Sequence, residues 1–313
     1  MCRPAVAADF SAAVSLLPQW LDLDPSIVAD LPRLWSAFSG APVHSLAMLD
    51  LSAPAPLQLQ AWGATIGLPA DFAAALDLHG TPSPHLSRRI YQAMHEGRLK
   101  PMTDRELAHA NARGDLTLFN LNFSMRRTDL GSEYVQGLLA MANDAFRLSH
   151  AGMNPDAMFF EGGALDAPYI TAAGFRRLPC ADDPGWAALP AQRQPMLFGL
   201  TREQARGTLP GTSARAVFGH HPPRFRLSAT QRKLLWFALF DESDATLTEQ
   251  LGVSPHGLKK LWRGIYERII DVEREFFGDP GSDDDGRRGP EKRRQVLAYV
   301  RQRPEELQPW AAL

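Results

Sequence analysis

His256, Lys259, Lys260 and Arg263 lie close together late in the chain, with Ser254 just before them and Thr248 one short segment earlier. Imidazole, ammonium and guanidinium groups three or four residues apart share one side of a helix. That side would offer donors and positive charge to phosphates and to the acceptor edges of bases. Hydroxyls near helix starts, such as Ser254 and Thr248, can reach phosphates as well. Over Ser254 to Ile269, Lys259, Lys260, Arg263 and Arg268 oppose Glu267 alone. That net charge attracts phosphates, is modest for one copy and doubles in a dimer. Other chemistry is poorly supplied. Cys2 and Cys180 make neither a disulfide framework nor metal-ligand spacing. His79, His85, His95, His109 and His150 stand singly, without a Ser, Cys or Asp partner at triad spacing. His220 and His221 are adjacent but lack a third ligand nearby. There is no glycine-rich phosphate loop, dinucleotide fingerprint or metalloprotease helix.

The elements that must position the basic residues are three short helices over Leu227 to Ile269. Ser228 with Gln231 is a capping box, followed by Leu234, Leu235, Ala238 and Leu239 on one stripe. Thr246 with Glu249 reads as a second box, opening a helix that turns Leu247 and Leu251 inward and stops at Gly252. Ser254 caps a third helix with Pro255 in its first turn and Leu258, Leu261, Trp262, Ile265 and Ile269 at core spacing. Two helices joined by a tight turn, the second one basic, make a helix-turn-helix that fits a major groove.

The run Gln250-Leu251-Gly252-Val253-Ser254, then Leu258-Lys259, then Ile265, Arg268 and Ile269, resembles the LuxR/FixJ-type DNA-binding module. Gly257 and Leu261 depart from that pattern, standing where the family has Thr and His. The resemblance covers only the last quarter of the chain and implies a duplex-DNA partner. The other reading is a small three-helix bundle with a solvated basic face. After Ile269 the helix is expected to run on through Val272, Phe276 and Phe277, with Gly278 to Pro290 a mobile loop. Glu291 to Arg303 returns to helix. Its Lys292, Arg293, Arg294, Arg301 and Arg303 make either a second phosphate contact or a solvated helix packed on its neighbour.

At 313 residues the chain is long enough for two cores, and its formal charge of −2 confines any DNA contact to a local patch. No signal segment or membrane-length apolar run is present, so a reducing, cytoplasmic setting is expected. Gly219 to Arg224, with Pro222-Pro223 inside it, reads as a stiff extended linker.

Ahead of that linker, strands are expected at His44–Leu51, Gln58–Leu68, Asp115–Met125, Asp156–Glu161, Phe175–Leu178 and Gln194–Leu200. Helices are expected over Asp71–Leu78, Ser87–Met94, Asp104–Asn111, Glu133–Ser149 and Asp166–Ala173. The long one places Tyr134, Leu138, Met141, Ala142, Ala145 and Leu148 in register. Strict alternation in Asp115–Met125 puts Asn120, Asn122 and Ser124 on one face and Phe119, Leu121 and Phe123 on the other.

This order, with Ala173-Gly174-Phe175 closing the short helix, is similar to the GNAT acetyltransferase fold. The resemblance implies acetyl-CoA held by backbone amides after the central strand, where Arg126 and Gly131 match the cofactor-binding pattern. Asp129 stands in place of that pattern's first glycine, and Ile170 in place of its general-acid tyrosine, with Tyr169 one place off and expected to point elsewhere. The expected fold class is therefore α+β. A GNAT-like mixed sheet flanked by helices spans residues 1–218, a Pro-rich linker 219–226, and an all-α helix-turn-helix domain 227–313. The expected function is a homodimeric DNA-binding regulator with no catalytic residue and no cofactor, acetyl-CoA being disfavoured. A small-molecule effector would lie in a sheet groove near Asn120, Asn122, Glu161 and phenylalanines among Phe119, Phe123, Phe159 and Phe160. The alternatives are an active acetyltransferase fused to the same module, and helices that bind protein.

Overall fold

The computed structural model describes residues 1–37, 45–240, 242–278 and 288–311. His44, Asp241 and most of the loop expected over Gly278–Pro290 lie outside the described residues.

Seven strands form one mixed sheet: β1 (Cys2–Pro4), β2 (Ser45–Leu49), β3 (Leu59–Leu68), β4 (Leu116–Met125), β5 (Pro155–Gly162), β6 (Arg176–Arg177) and β7 (Met196–Thr201). Their order is β1-β2-β3-β4-β5-β7-β6. Among the described residues only β4 and β5 pair in parallel. Each expected strand is present, and β1 is an addition whose three residues are too few to carry a period.

The helices that accompany the sheet are α1 (Ala7–Val14), α2 (Pro25–Ser36), α3 (Ala70–Ala75), α4 (Leu86–His95), α5 (Asp104–Arg113), α6 (Glu133–His150), α7 (Ala167–Ala172), α8 (Pro184–Ala187), α9 (Arg202–Arg206) and α10 (Ser213–Val217). On one face α1, α2 and α4 close over Trp35, Trp62, Phe10 and Tyr91, with the two indole rings 4.2 Å apart. On the other face α6, α7 and α10 cover Leu118, Met158, Phe160 and Phe198. Both faces of the central strands are buried, which is why they read as nearly continuous apolar runs. Tyr134, expected inward on α6, is instead exposed, and its hydroxyl meets Asp50 at 3.3 Å. Val135 takes the inward place.

The chain ends in α11 (Ala229–Ala238), α12 (Asp244–Leu251), α13 (Pro255–Val272) and α14 (Arg288–Gln302). Ser228 and Gln231 form the expected capping box. The expected box at Thr246 and Glu249 does not form. Ser243 caps α12 by accepting the Thr246 N–H at 3.1 Å, because it too precedes a residue with a free amide by three places. Gly252 takes the left-handed conformation (φ 63°), and Ser254 caps α13 on the Gly257 N–H at 3.1 Å. The helix stops at Val272 rather than running on, and Phe276 and Phe277 fold back beside Tyr299 and Tyr266.

The helical part is docked on the sheet part. Phe225 in the expected linker is buried against Phe276 and Tyr299. The Glu306 carboxylate accepts the N–H groups of Arg224 and Phe225 at 2.9 and 3.0 Å. Gln308, fully buried, donates to the Ser149 and Ala151 carbonyls at the end of α6 at 2.9 and 3.0 Å. Asn111 donates to Pro309, and Arg232 pairs with Asp104.

Gly152 is the tightest point of this docking. Its φ is +78°, and a Cβ there would lie 2.3 Å from Glu305 Cβ and 2.7 Å from Glu305 Cα. Gly97 has a similar φ of +72° with nothing within 4 Å. Gly97→Ala therefore costs only the conformational penalty, about 1 kcal/mol. Gly152→Ala adds displacement of backbone to that penalty, and a loss of roughly 3 kcal/mol is expected. Urea unfolding of the two variants measures the contrast, and equal losses would contradict the docking contact.

Candidate functional site: a basic helical face and a groove in the sheet

Side chains of α13 divide sharply. Leu258, Trp262, Ile265 and Ile269 are buried, while Ser254, His256, Lys259, Lys260 and Arg263 are exposed. Among the described residues Lys259, Lys260 and Arg263 have no ion-pair partner, so their charge faces solvent. Ser254 is at the expected helix start, its Oγ accepting the first-turn amide. Thr248 does not present its hydroxyl as expected. It is half-buried and donates to Ala245 O at 2.7 Å within its own helix.

The basic groups of α14 are largely engaged internally. Arg293 pairs with Asp244 at 2.6 Å and lies 4.8 Å from the Trp262 ring, Lys292 lies 5.2 Å from the Phe277 ring, and Arg294 pairs with Glu291. Val296, Leu297 and Val300 join the core. The helix thus packs on its neighbour, as one of its two readings expects, while Arg294 and Arg303 stay largely exposed.

The groove arises from an irregularity in β4. Opposite Ala64 and Thr65 the strand carries one residue too many, so Asn122 and Asn120 pair across while Leu121 bulges. The parallel ladder to β5 ends at Asn120–Phe160. Beyond that point the ladder records no further pairing, and pockets occur on both sides of the two strand ends. The bulge also corrects the expected alternation. Phe123 joins Asn120 on the α6 side, and Asn122 turns to the α4 side.

A cavity of about 80 Å³ lies on the α6 side, lined by Asn120, Phe123, Phe146, Phe160, Tyr169 and Phe175 among others. Among the described residues Asn120 Oδ1, buried there, has no hydrogen-bond partner. Asn122 and Glu161, expected to line the groove, are committed elsewhere. Asn122 accepts the Tyr91 hydroxyl at 2.7 Å and donates to Ser124 Oγ at 3.0 Å. Glu161 accepts the Leu86 and Ser87 amides at the start of α4 at 2.8 and 2.7 Å, and burial raises its pKa despite those bonds. Phe119 and Phe159 are ordinary core, so two of the four candidate phenylalanines face the groove.

Tyr169 does point into the groove, contrary to expectation. Its hydroxyl is buried near the Asp166 carboxylate without a regular hydrogen bond, and burial followed by that charge pushes its pKa well up. Asp166 accepts the Gly163 N–H at 2.7 Å and the Trp20 Nε1–H at 3.2 Å. A second pocket of about 570 Å³ opens beyond the strand ends, between the Ser15–Trp20 loop, Arg126 and Asp166.

The turn after β4 is self-satisfied. Arg126 Nε donates to Leu59 O at 3.1 Å, and the Gly131 N–H donates to Asp129 Oδ1 at 3.0 Å. The carboxylate thus occupies an amide just ahead of α6 that a pyrophosphate would need if this turn were the cofactor loop that the sequence resemblance implies. Asp129→Gly is expected to free it and to create acetyl-CoA binding measurable by calorimetry. Micromolar binding by the parent chain would contradict the reading of this loop. Among the described residues no group of three His, Cys, Asp or Glu side chains is placed to hold a metal ion.

No family model matches the chain, and no curated protein matches it either. Among solved structures it is similar to the GphF GNAT-like decarboxylase in complex with isobutyryl-CoA, at 13% identity and a TM-score of 0.35, over 64% of this chain and 98% of that one. It is also similar to the Drosophila melanogaster polyamine N-acetyltransferase that forms N-acetylagmatine, at 9% identity and a TM-score of 0.29, over 64% of this chain and 99% of that one. At such scores neither likeness bears on what this chain binds or does.

Proposed function

We propose that the chain is a sequence-specific duplex-DNA-binding regulator that reads the major groove with α13, and whose sheet part senses a small ligand. The observation that carries this reading is the joint itself. Gly252 in its left-handed turn and the Ser254 cap aim α13 so that its apolar stripe is buried and His256, Lys259, Lys260 and Arg263 stand free. The resemblance to the LuxR/FixJ module agrees with it. One module of this size covers little DNA, so a homodimer on paired half-sites is part of the proposal.

The groove supports the sensing role. An apolar ligand with one donor would fill the aromatic cavity and satisfy Asn120 Oδ1. Selection of bound duplexes from a random pool, followed by affinity against salt, tests the proposal. It requires an enriched sequence and a steep salt slope. A pool without enrichment would defeat it, and would leave protein recognition by the same helices as the better account.

Tyr169 in the groove, its hydroxyl near Asp166, favours a second reading in which the sheet part transfers an acyl group. Acetyl-CoA titration of the unaltered chain decides between the two, since the Gly131 amide is already occupied by Asp129.

A further inference from the structure

We propose that Arg224, Arg226, Arg268 and Arg303 form a binding site for a phosphate-bearing anion at the joint between the sheet and helical parts. These four side chains, with His221 beside them, line a pocket of about 510 Å³. They come from three segments that meet only in the folded chain: the extended stretch before α11, the C-terminal part of α13, and the residue just after α14.

The charges are unevenly matched. Glu273 pairs with Arg224, and Glu305 pairs with Arg303, each at 2.6 Å. Among the described residues Arg226 and Arg268 have no carboxylate partner. Glu306 is not among the lining residues, and both its oxygens are engaged by the Arg224 and Phe225 amides. Arg268 is held in place, its Nε donating to Phe225 O at 2.8 Å. Arg226 sits in the left-handed region (φ 49°) between buried Phe225 and Leu227, which sets its side chain outward.

Like charges gathered around one pocket repel, and an anion between them removes that repulsion. Guanidinium forks match phosphate oxygens in pairs. Two unpaired arginines beside two paired ones suit a dianion better than a single carboxylate. Arg268 is on a different side of α13 from His256, Lys259, Lys260 and Arg263, so the site is separate from the proposed groove-reading face. The phosphate could belong to the backbone of a bound duplex or to a free phosphorylated molecule.

The experiment uses the full chain and inorganic pyrophosphate, titrated calorimetrically at ionic strength fixed with sodium chloride. The variant is Arg226→Gly with Arg268→Gln, glycine being at ease in the left-handed backbone. A parallel arm measures the salt dependence of duplex binding for both proteins. At least a tenfold loss of pyrophosphate affinity with an unchanged duplex slope supports a free anion as the source. A duplex slope shallower by about two supports the DNA backbone. If the folded variant keeps the parent's pyrophosphate response and the parent's slope, the site is overturned. The pyrophosphate arm stands even if the chain proves not to bind DNA, so the two failures are distinguishable.

Discussion

Replacing Lys259 and Arg263 together with alanine is expected to lower affinity for a selected duplex by about a hundredfold, since each contact of this kind contributes roughly 1–3 kcal/mol. Both side chains are exposed on α13 and neither has an ion pair among the described residues, so the fold should not depend on them. Substitutions of that kind change stability by about 0.5 kcal/mol or less. Fluorescence anisotropy reads the first quantity and thermal melting the second. A folded double variant that binds as tightly as the parent would remove α13 from the interface. Replacing Arg293 instead should act through stability, because it bridges Asp244 and the Trp262 ring.

Acidification should destabilise the chain through His150. This residue ends α6 buried, its Nδ1 near Phe146 O and Ser149 Oγ and its Nε2 without a partner among the described residues. Burial lowers its pKa from 6.5 to about 4. A histidine whose folded pKa is depressed binds its proton more readily when unfolded. Its contribution is thus fully present above pH 6.5 and is lost as the pH falls through about 4. A shift of that size corresponds to roughly 3 kcal/mol. Burial of Glu161 raises its pKa and works in the opposite direction, so the comparison must be differential. Urea unfolding of the parent and of His150→Gln between pH 7 and 4 isolates the effect. Parallel curves would show that His150 titrates normally.

The helical segment was largely legible in the sequence because its punctuation is local. Ser228, Gly252, Ser254 and Pro255 each do their work within one turn, and all four stand where the spacing places them. Ser243 and Thr246 are two hydroxyls three residues apart that suit the same role, and spacing alone does not separate them. The groove was harder to read. Strict alternation assigns Asn122 to it and leaves Phe123 outside, and nothing in the residue types announces a bulge at Leu121. Glu161 looked available because its two partners are backbone amides more than seventy positions away. The docking of Gln308 onto Ser149 and Ala151 was invisible for the same reason.

The bulge at Leu121 makes the groove depend on how many residues β4 contains rather than on which ones. Residues on either side of Leu121 already face their proper neighbours, Phe123 beside Asn120 and Asn122 beside Tyr91. Deleting Leu121 would leave those facings intact while letting the strand straighten and continue its ladder along β5. Shortening the chain by one residue there is expected to narrow the cavity without changing any side chain that lines it, at the cost of Leu121, which is itself buried in the core on the α4 face. If the sheet receives a ligand as proposed, its presence among relatives should track a gap at this position more closely than any substitution.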